Sequence, residues 1–465
     1  MTDASRLAGQ LDRFRVPAVQ LTVVHGGDVR YAGVVSAGGA APGGARTLFH
    51  HGSCGKAYTA LLATTLAERG LLDLDKPVRT YVPELRLPDP VIADRATIRD
   101  LLSHRSGLDR HDLAWIFNPS WDRSEILGRL AHLTMAGDLR AGMVYSNFGY
   151  ALAGLAVERV GGASWDDQLR GEVLAPTGMD RTYTSGKAVA DDPDRAGAYR
   201  LSRGSVVETP WRHINGVAPA GELITCAEDA AKWLMVQLSG SPAVAATHRL
   251  HVPFPADLSD HPELRWLGYG LGWVVGTFRN RPVLWHSGGI DGFLTNILLV
   301  PDAGLGIAVC ANLHFSELPL ATVLQIADEL LESPESTDWY DRIHTDPPAT
   351  PDAAAADAVE HPGPARPLSD YAGRYTNAGY GDLVVSTAGA GPGVPAGEAG
   401  LAVRAGEADL TASHRGYDTW DLRYEPLDVD LVVTFAGGPD GDVAEASVVL
   451  DDPEQPIRYR RTAEA

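Results

Sequence analysis

Between Asp346 and Pro367 the chain passes through six prolines and seven alanines with no hydrophobic period. Such a composition makes an extended spacer and cannot close a packed core. A chain of 465 residues broken in this way is expected to fold as two bodies, residues 1–345 and 368–465, joined by a linker at 346–367. The length agrees, being too great for one average domain.

On the N-terminal side, hydrophobic periodicity predicts a helix over Ala4–Phe14 and strands over Ala18–His25 and Val29–Val34, joined by Gly26-Gly27-Asp28. The Ala-, Leu- and Thr-rich run Cys54–Arg69 stops at Gly70 and reads as a helix. Thr225-Cys226-Ala227-Glu228 has capping-box spacing and opens a helix running through Trp233. Beyond Tyr269 the pattern turns to strands: Gly272–Phe278, Val283–His286, Phe293–Val300 and, after Pro301-Asp302-Ala303-Gly304, Ile307–Ala311. A helix over Pro319–Leu331 follows. The first and last helices can cover one antiparallel sheet, with a helical region between its halves, an α+β arrangement. After the linker, short alternating runs at Gly381–Val385, Thr419–Arg423, Leu431–Phe435 and Ile457–Arg460 predict a small β-barrel.

Hydrophobic residues at 45% support a globular core, and a formal charge of −21 repels phosphate backbones and anionic headgroups. Neither nucleic acid nor membrane is therefore expected as a partner. Cys54, Cys226 and Cys310 are odd in number and scattered, which suits a reducing compartment better than a disulfide framework. The chain shows no basic stretch leading into an apolar run at its start and no run of about 18 apolar residues. A cytoplasmic location is expected.

Ser53 and Lys56 stand three residues apart at the start of a predicted helix, on one face and about a turn from each other. Serine is a weak nucleophile until a neighbour takes its proton, which lysine can do and arginine cannot. Only Lys56, Lys76, Lys187 and Lys232 are lysines among 39 basic residues, and only Lys56 has a serine three positions before it. Tyr145-Ser146-Asn147 precedes another helical stretch, 148–160. The phenol is a candidate proton relay and the Asn147 amide a candidate ligand for a substrate amide. His286-Ser287-Gly288-Gly289 ends a predicted strand, where Ser287 and Gly288 would border a substrate. The N–H groups of Gly289 and Ser53 could bind an oxyanion there. Tyr375-Thr376-Asn377 repeats the Tyr-x-Asn pattern inside the predicted barrel and reads as structural. An α/β-hydrolase elbow fails, because His51 stands where Gly-x-Ser-x-Gly needs glycine. Lys56, two residues from Cys54, lies on another helix face, and no His-Glu-x-x-His or paired Cys-x-x-Cys occurs. No metal or cofactor is expected.

The ordered set Ser-x-x-Lys, Tyr-x-Asn and His-x-Gly resembles the serine β-lactamases and penicillin-binding proteins, in which the last element is often Lys-Thr-Gly. Leu101-Leu102-Ser103-His104-Arg105-Ser106-Gly107-Leu108 and Pro219-Ala220-Gly221-Glu222 also look like that family. The likeness spans roughly residues 15–335. Tyr371-Ala372-Gly373-Arg374-Tyr375 resembles the start of the lipocalin-like domain appended to many relatives. The resemblance implies a β-lactamase/transpeptidase-like catalytic domain with a helical subdomain, a lipocalin-like tail and a covalent acyl-enzyme on Ser53. His286 in place of lysine sets the chain apart from antibiotic-hydrolysing members. Among non-exported relatives, the layout is most similar to stand-alone penicillin-binding-protein-type thioesterases, which release and cyclise nonribosomal peptides. On that likeness the substrate is a peptidyl or small-molecule ester or thioester with a D-residue at its acyl end, deliverable by a carrier protein. Arg458 and Arg460 on the last predicted strand become candidates for capturing a terminal carboxylate. The alternatives are a D-stereospecific aminopeptidase or amidase, an esterase, and a non-catalytic binding member.

Overall fold

The computed structural model describes residues 4–38, 43–202, 204–256, 259–332, 337–344, 363–389, 399–449 and 455–462. Most of the Pro/Ala-rich spacer, residues 346–362, lies outside them. The chain divides into two compact units, Met1–Arg110 with Asp122–Gly128 and Thr134–Pro347, and His111–Trp121 with Arg129–Leu133 and Pro348–Ala465.

The first unit is built on an eight-stranded sheet. Its strands are β1 (Ala18–His25), β2 (Asp28–Ser36), β3 (Val252–Pro253), β4 (Leu264–Tyr269), β5 (Val274–Phe278), β6 (Arg281–Ile290), β7 (Phe293–Val300) and β8 (Leu305–Ala311). All pairs are antiparallel, in the order β2-β1-β8-β7-β6-β5-β4-β3. The N-terminal hairpin thus completes the sheet against its last strand, with Val19 opposite Ala311 and His25 opposite Leu305.

Strand β1 is buried along nearly its whole length, and its alternation sorts the two faces. Val19, Leu21 and Val23 join an apolar cluster with Leu7 and Leu11 of α1 (Ala4–Leu11) and Leu324 of the C-terminal helix Leu318–Leu330. Gln20 and Thr22 face the other way and donate to the carbonyls of Thr225, at 3.0 Å, and Ala227, at 3.1 Å. Helix Ala227–Leu238 lies on that second face. The helix after Ser53, α2 (Gly55–Glu68), is buried at almost every position of its first three turns. That degree of burial suits its Ala-, Leu- and Thr-rich sequence. A third helix, α3 (Asn147–Gly161), ends at Gly162 in a left-handed conformation. It packs so closely on the turn Ala218–Gly221 that a Cβ on Gly154 would come within 2.4 Å of Pro219 Cγ.

The second unit holds a closed barrel of eight strands in chain order, from Gly373–Asn377 to Ile457–Arg461. It is sealed where Tyr375 meets Arg461. Tyr375, Leu383, Val403, Trp420, Val433 and Phe435 fill it, and Leu113 and Phe117 belong to the same apolar cluster. Tyr375 donates its hydroxyl to Tyr371 O at 2.7 Å and is fully buried, so the second Tyr-x-Asn pattern is a barrel element. Among the described residues no helix is long and apolar enough to cross a membrane.

Candidate active site

Ser53 lies on a single 3-10 turn, Gly52–Cys54, that runs straight into α2. The turn is held on two sides. Residues 219–225 run alongside residues 49–59, in step at first: Phe49 pairs with Thr225 and His50 with Ile224, and His51 N–H donates to Leu223 O at 2.7 Å. Further along, Lys56 Nζ donates to Ala220 O at 2.7 Å and Thr59 Oγ1 to Pro219 O at 2.7 Å. Glu222 anchors this segment. Fully buried, it accepts from the N–H groups of Gly186 and Ile214 and pairs with His213, and burial pushes its carboxyl above the usual range.

On the other side stands β6. Its register with β7 continues to Ile290, whereas that with β5 ends at Trp285. The stretch from His286 onward meets the Ser53 turn, and the approach is close enough to demand glycine. A Cβ on Gly288 would fall 2.0 Å from His51 O and 2.9 Å from the amide nitrogens of Ser53 and Cys54. Gly289 has room, its nearest neighbour for such an atom being Leu294 Cδ1 at 3.6 Å. Gly288 therefore serves the nucleophile turn itself, while Gly289 is free to border a ligand. Strand alternation sets Ser287 on the same face as Gly289.

Lys56 is wholly buried. Its Nζ lies 3.1 Å from Ser53 Oγ and 2.7 Å from Asn147 Oδ1, besides the Ala220 carbonyl. Asn147, in the first turn of α3, thus turns its oxygen to the lysine. The ammonium nitrogen stands over the rings of Tyr145, at 4.7 Å, and Tyr150, at 5.4 Å. His286 joins the cluster as a neutral ring. Its Nδ1 donates to Ser287 O at 2.6 Å, so Nε2 accepts from Tyr269 Oη at 2.8 Å. Burial and the nearby Lys56 charge lower its pKa to about 3. Burial pushes the Tyr150 and Tyr269 phenols well above their usual range and does the same to the Cys54 thiol, whose sulfur points to His286 O at 3.6 Å. That leaves Cys54 an inert thiol beside the serine.

Ser53, Lys56, Tyr145, Asn147, His286 and Gly288 are thus brought together. Arg458 and Arg460 lie on the exposed side of the last barrel strand, Arg458 paired with Glu445 at 2.9 Å. Four contributors have no mark of their own in the sequence reading: Ala220 through its carbonyl, Glu222, Tyr269 and His104. Three of them fall within the two stretches that resemble the family, Leu101–Leu108 and Pro219–Glu222. Among the described residues no group of three or more metal-binding side chains is arranged around an ion site.

A buried lysine within hydrogen-bond reach of a serine at a helix start, on an antiparallel sheet covered by helices, defines a serine enzyme of the β-lactamase and penicillin-binding-protein type. The comparisons agree: the family model described as Beta-lactamase matches residues 4–330. The chain belongs to that family and is a serine hydrolase. Residues 357–460 match a domain of unknown function, DUF3471. An unguisins hydrolase of Aspergillus violaceofuscus is 30% identical over 73% of this chain and 68% of its own length. Among solved structures, the octameric penicillin-binding protein homologue from Pyrococcus abyssi aligns over 98% of this chain and 100% of its own, with TM-score 0.64 and 20% identity. SurE with D-Leu aligns over 99% of both chains, with TM-score 0.55 and 23% identity.

Proposed function

We propose that the chain is an acyl-enzyme hydrolase of peptidyl esters, thioesters or amides, with Ser53 as nucleophile and Lys56 as its base. The observation that carries this reading is the 3.1 Å approach of Lys56 Nζ to Ser53 Oγ, with two further N–H directions taken by Asn147 Oδ1 and Ala220 O. Once Lys56 has given up a proton, the amine held in that way by Asn147 Oδ1 and Ala220 O turns its lone pair to the serine. Ser53 then passes its proton to Lys56 as Oγ attacks the acyl carbon. The N–H groups of Ser53 and Gly289 receive the developing oxyanion. The proton returns by way of Tyr145 to the departing thiol, alcohol or amine, leaving an ester on Ser53. His286 and Tyr269 form a neutral wall for these transfers.

The relative whose name is a hydrolase of unguisins supports water as the acceptor, and the whole-chain neighbour solved with D-Leu supports a D-configured acyl residue. The same acyl-enzyme performs macrocyclisation when the peptide's own N-terminal amine attacks, the reaction expected from the sequence resemblance. A carrier-bound thioester would serve either branch.

The test is intact-mass spectrometry with product analysis, comparing wild type and Ser53→Ala after mixing with a linear peptide thioester mimic ending in a D-residue. A Ser53-dependent linear acid supports the hydrolase. A Ser53-dependent product lighter than that acid by one water moves the reading to the cyclase. Lack of acylation by this mimic and by a reactive ester overturns the catalytic reading and leaves a binding member of the family.

A further inference from the structure

The relay assigned above to Tyr145 requires its phenol to be held still, and its side chain is only half-buried. The backbone N–H groups of the residues on either side of it donate to one and the same residue. Val144 N–H donates to the carbonyl of His104 at 2.7 Å, and Ser146 N–H donates to Nδ1 of the same His104 at 3.1 Å. The imidazole also lies against the Tyr145 ring, centroids 4.3 Å apart and planes 33° from parallel. One residue therefore grips Tyr145 from both neighbouring peptides and from one face.

Two costs accompany this grip. His104 has φ +58°, a left-handed conformation that side-chain-bearing residues rarely adopt. Because Nδ1 accepts from Ser146, the ring proton sits on Nε2, which is buried without a hydrogen-bond partner. A side chain needed only to fill space between Tyr150 and Tyr269, whose rings lie 5.2 and 4.8 Å away, would be apolar and would sit in an ordinary conformation. Non-glycine residues in left-handed geometry persist where the surrounding structure enforces them, often at functional sites. Burial and the Lys56 charge hold the imidazole well below its usual pKa, so Nδ1 stays available as an acceptor.

From this geometry we infer that His104 is a positioning residue for the acyl-transfer reaction, clamping Tyr145 over Lys56 through its carbonyl, its Nδ1 and its ring face. The inference rests on the proposed role of Tyr145.

The experiment is a double-mutant cycle in the full chain. Single-turnover acylation and KM are measured with the D-residue thioester mimic for wild type, Tyr145→Phe, His104→Phe and the pair, with circular dichroism checking the fold. His104→Phe keeps a ring and loses the acceptor. It is expected to slow acylation by about 10- to 100-fold, less than the about 10²- to 10⁴-fold of losing general acid–base help outright, with KM changed less than about twofold. In the Tyr145→Phe background the same change is expected to cost nothing more, because residues acting as one unit are not additive. His104→Asn tolerates the left-handed backbone and offers an acceptor oxygen, so it is expected to recover part of the rate. If His104→Phe does not fold, His104→Asn and its pairing with Tyr145→Phe carry the cycle. Independent, multiplying losses overturn the clamp while leaving the relay standing. Full-rate acylation by Tyr145→Phe overturns the relay and the clamp with it. A loss seen in KM or melting temperature alone would make His104 a packing residue and refute the inference.

Discussion

Lys56 is the residue whose replacement separates proton transfer from charge. Lys56→Arg preserves a cation and a long stem, but guanidinium stays protonated and cannot take the Ser53 proton. Acylation is expected to fall by about 10²- to 10⁴-fold, the usual worth of a positioned base, as followed by the rate of mass gain on Ser53 with a reactive ester. A rate within a few-fold of wild type would remove Lys56 from the base role. His286 gives the complementary case. With its pKa lowered to about 3 by burial and by Lys56, it carries no proton change above pH 5. Any acid limb in kcat/KM above that pH is expected to keep its position in His286→Gln, even if the plateau drops. A limb that moves with this substitution would show His286 titrating during turnover.

The glycines of β6 make the prediction at the level of elements, because they differ in what an added methyl would meet. Gly288→Ala drives a Cβ into His51 O and the amides of Ser53 and Cys54. It must part β6 from the nucleophile turn, at a cost of about 1–3 kcal/mol for overpacking and with acylation reduced at least about tenfold. Gly289→Ala meets nothing closer than 3.6 Å. It is expected to melt like wild type and to act, if at all, on KM. Equal behaviour of the two variants, in melting and in acylation, would contradict this packing.

The same elements show where the sequence was legible. Strands Ala18–His25 and Phe293–Val300 have the bounds their apolar runs predict, and helix Leu318–Leu330 is one residue off the predicted span. Local pattern and burial agree in these three. The capping box predicted at Thr225 does not form. Cys226 is the N-cap with no side-chain bond, and Thr225 Oγ1 instead meets Thr182 Oγ1 at 2.7 Å in the interior, a tertiary contact that overrides the local motif. Strand Leu264–Tyr269 lies outside the predicted strands, and Gly268 and Gly270 on either side of Tyr269 weaken its local signal. The cluster of Ser53, Lys56, Tyr145 and Asn147 was legible because these side chains stand at or just before helix starts with short, fixed spacings. Ala220 and His104 were not. Ala220 acts through a carbonyl, which any residue supplies, and the imidazole of His104 reaches Tyr145 and Ser146 only through tertiary placement on a left-handed backbone, which residue type does not announce.

At the scale of the whole molecule, the histidines packed into the first unit set the response to acid. His50, His51 and His286 are buried, and burial, named first in each case, lowers their pKa values to about 3. In the unfolded chain the value is about 6.5. Above pH 6.5 these rings are neutral in both states and contribute no pH dependence. As pH falls below 6.5 the unfolded chain binds protons that the folded chain refuses, so stability falls until the folded values are reached. At pH 5.5 each ring costs about 1 kcal/mol or slightly more, and the three together a large share of an ordinary folding free energy. Glu222 works in the opposite direction. Its raised carboxyl keeps a proton to higher pH in the fold, giving stability in acid that is lost as pH rises through the folded value. Asp100 is buried, yet hydrogen bonds from Arg140, Thr97 and Arg105 hold its carboxyl below the usual range, and its contribution is lost only in stronger acid. Urea unfolding at pH 7.5, 6.5 and 5.5 is therefore expected to show stability dropping between the last two values, before carboxylates titrate. In His51→Gln the slope at pH 5.5 is expected to shrink by about one proton, because this ring no longer distinguishes the two states. A flat profile from pH 7.5 to 5.5 would mean that these imidazoles accept protons inside the fold, and the neutral wall around Lys56 would then have to be abandoned along with it.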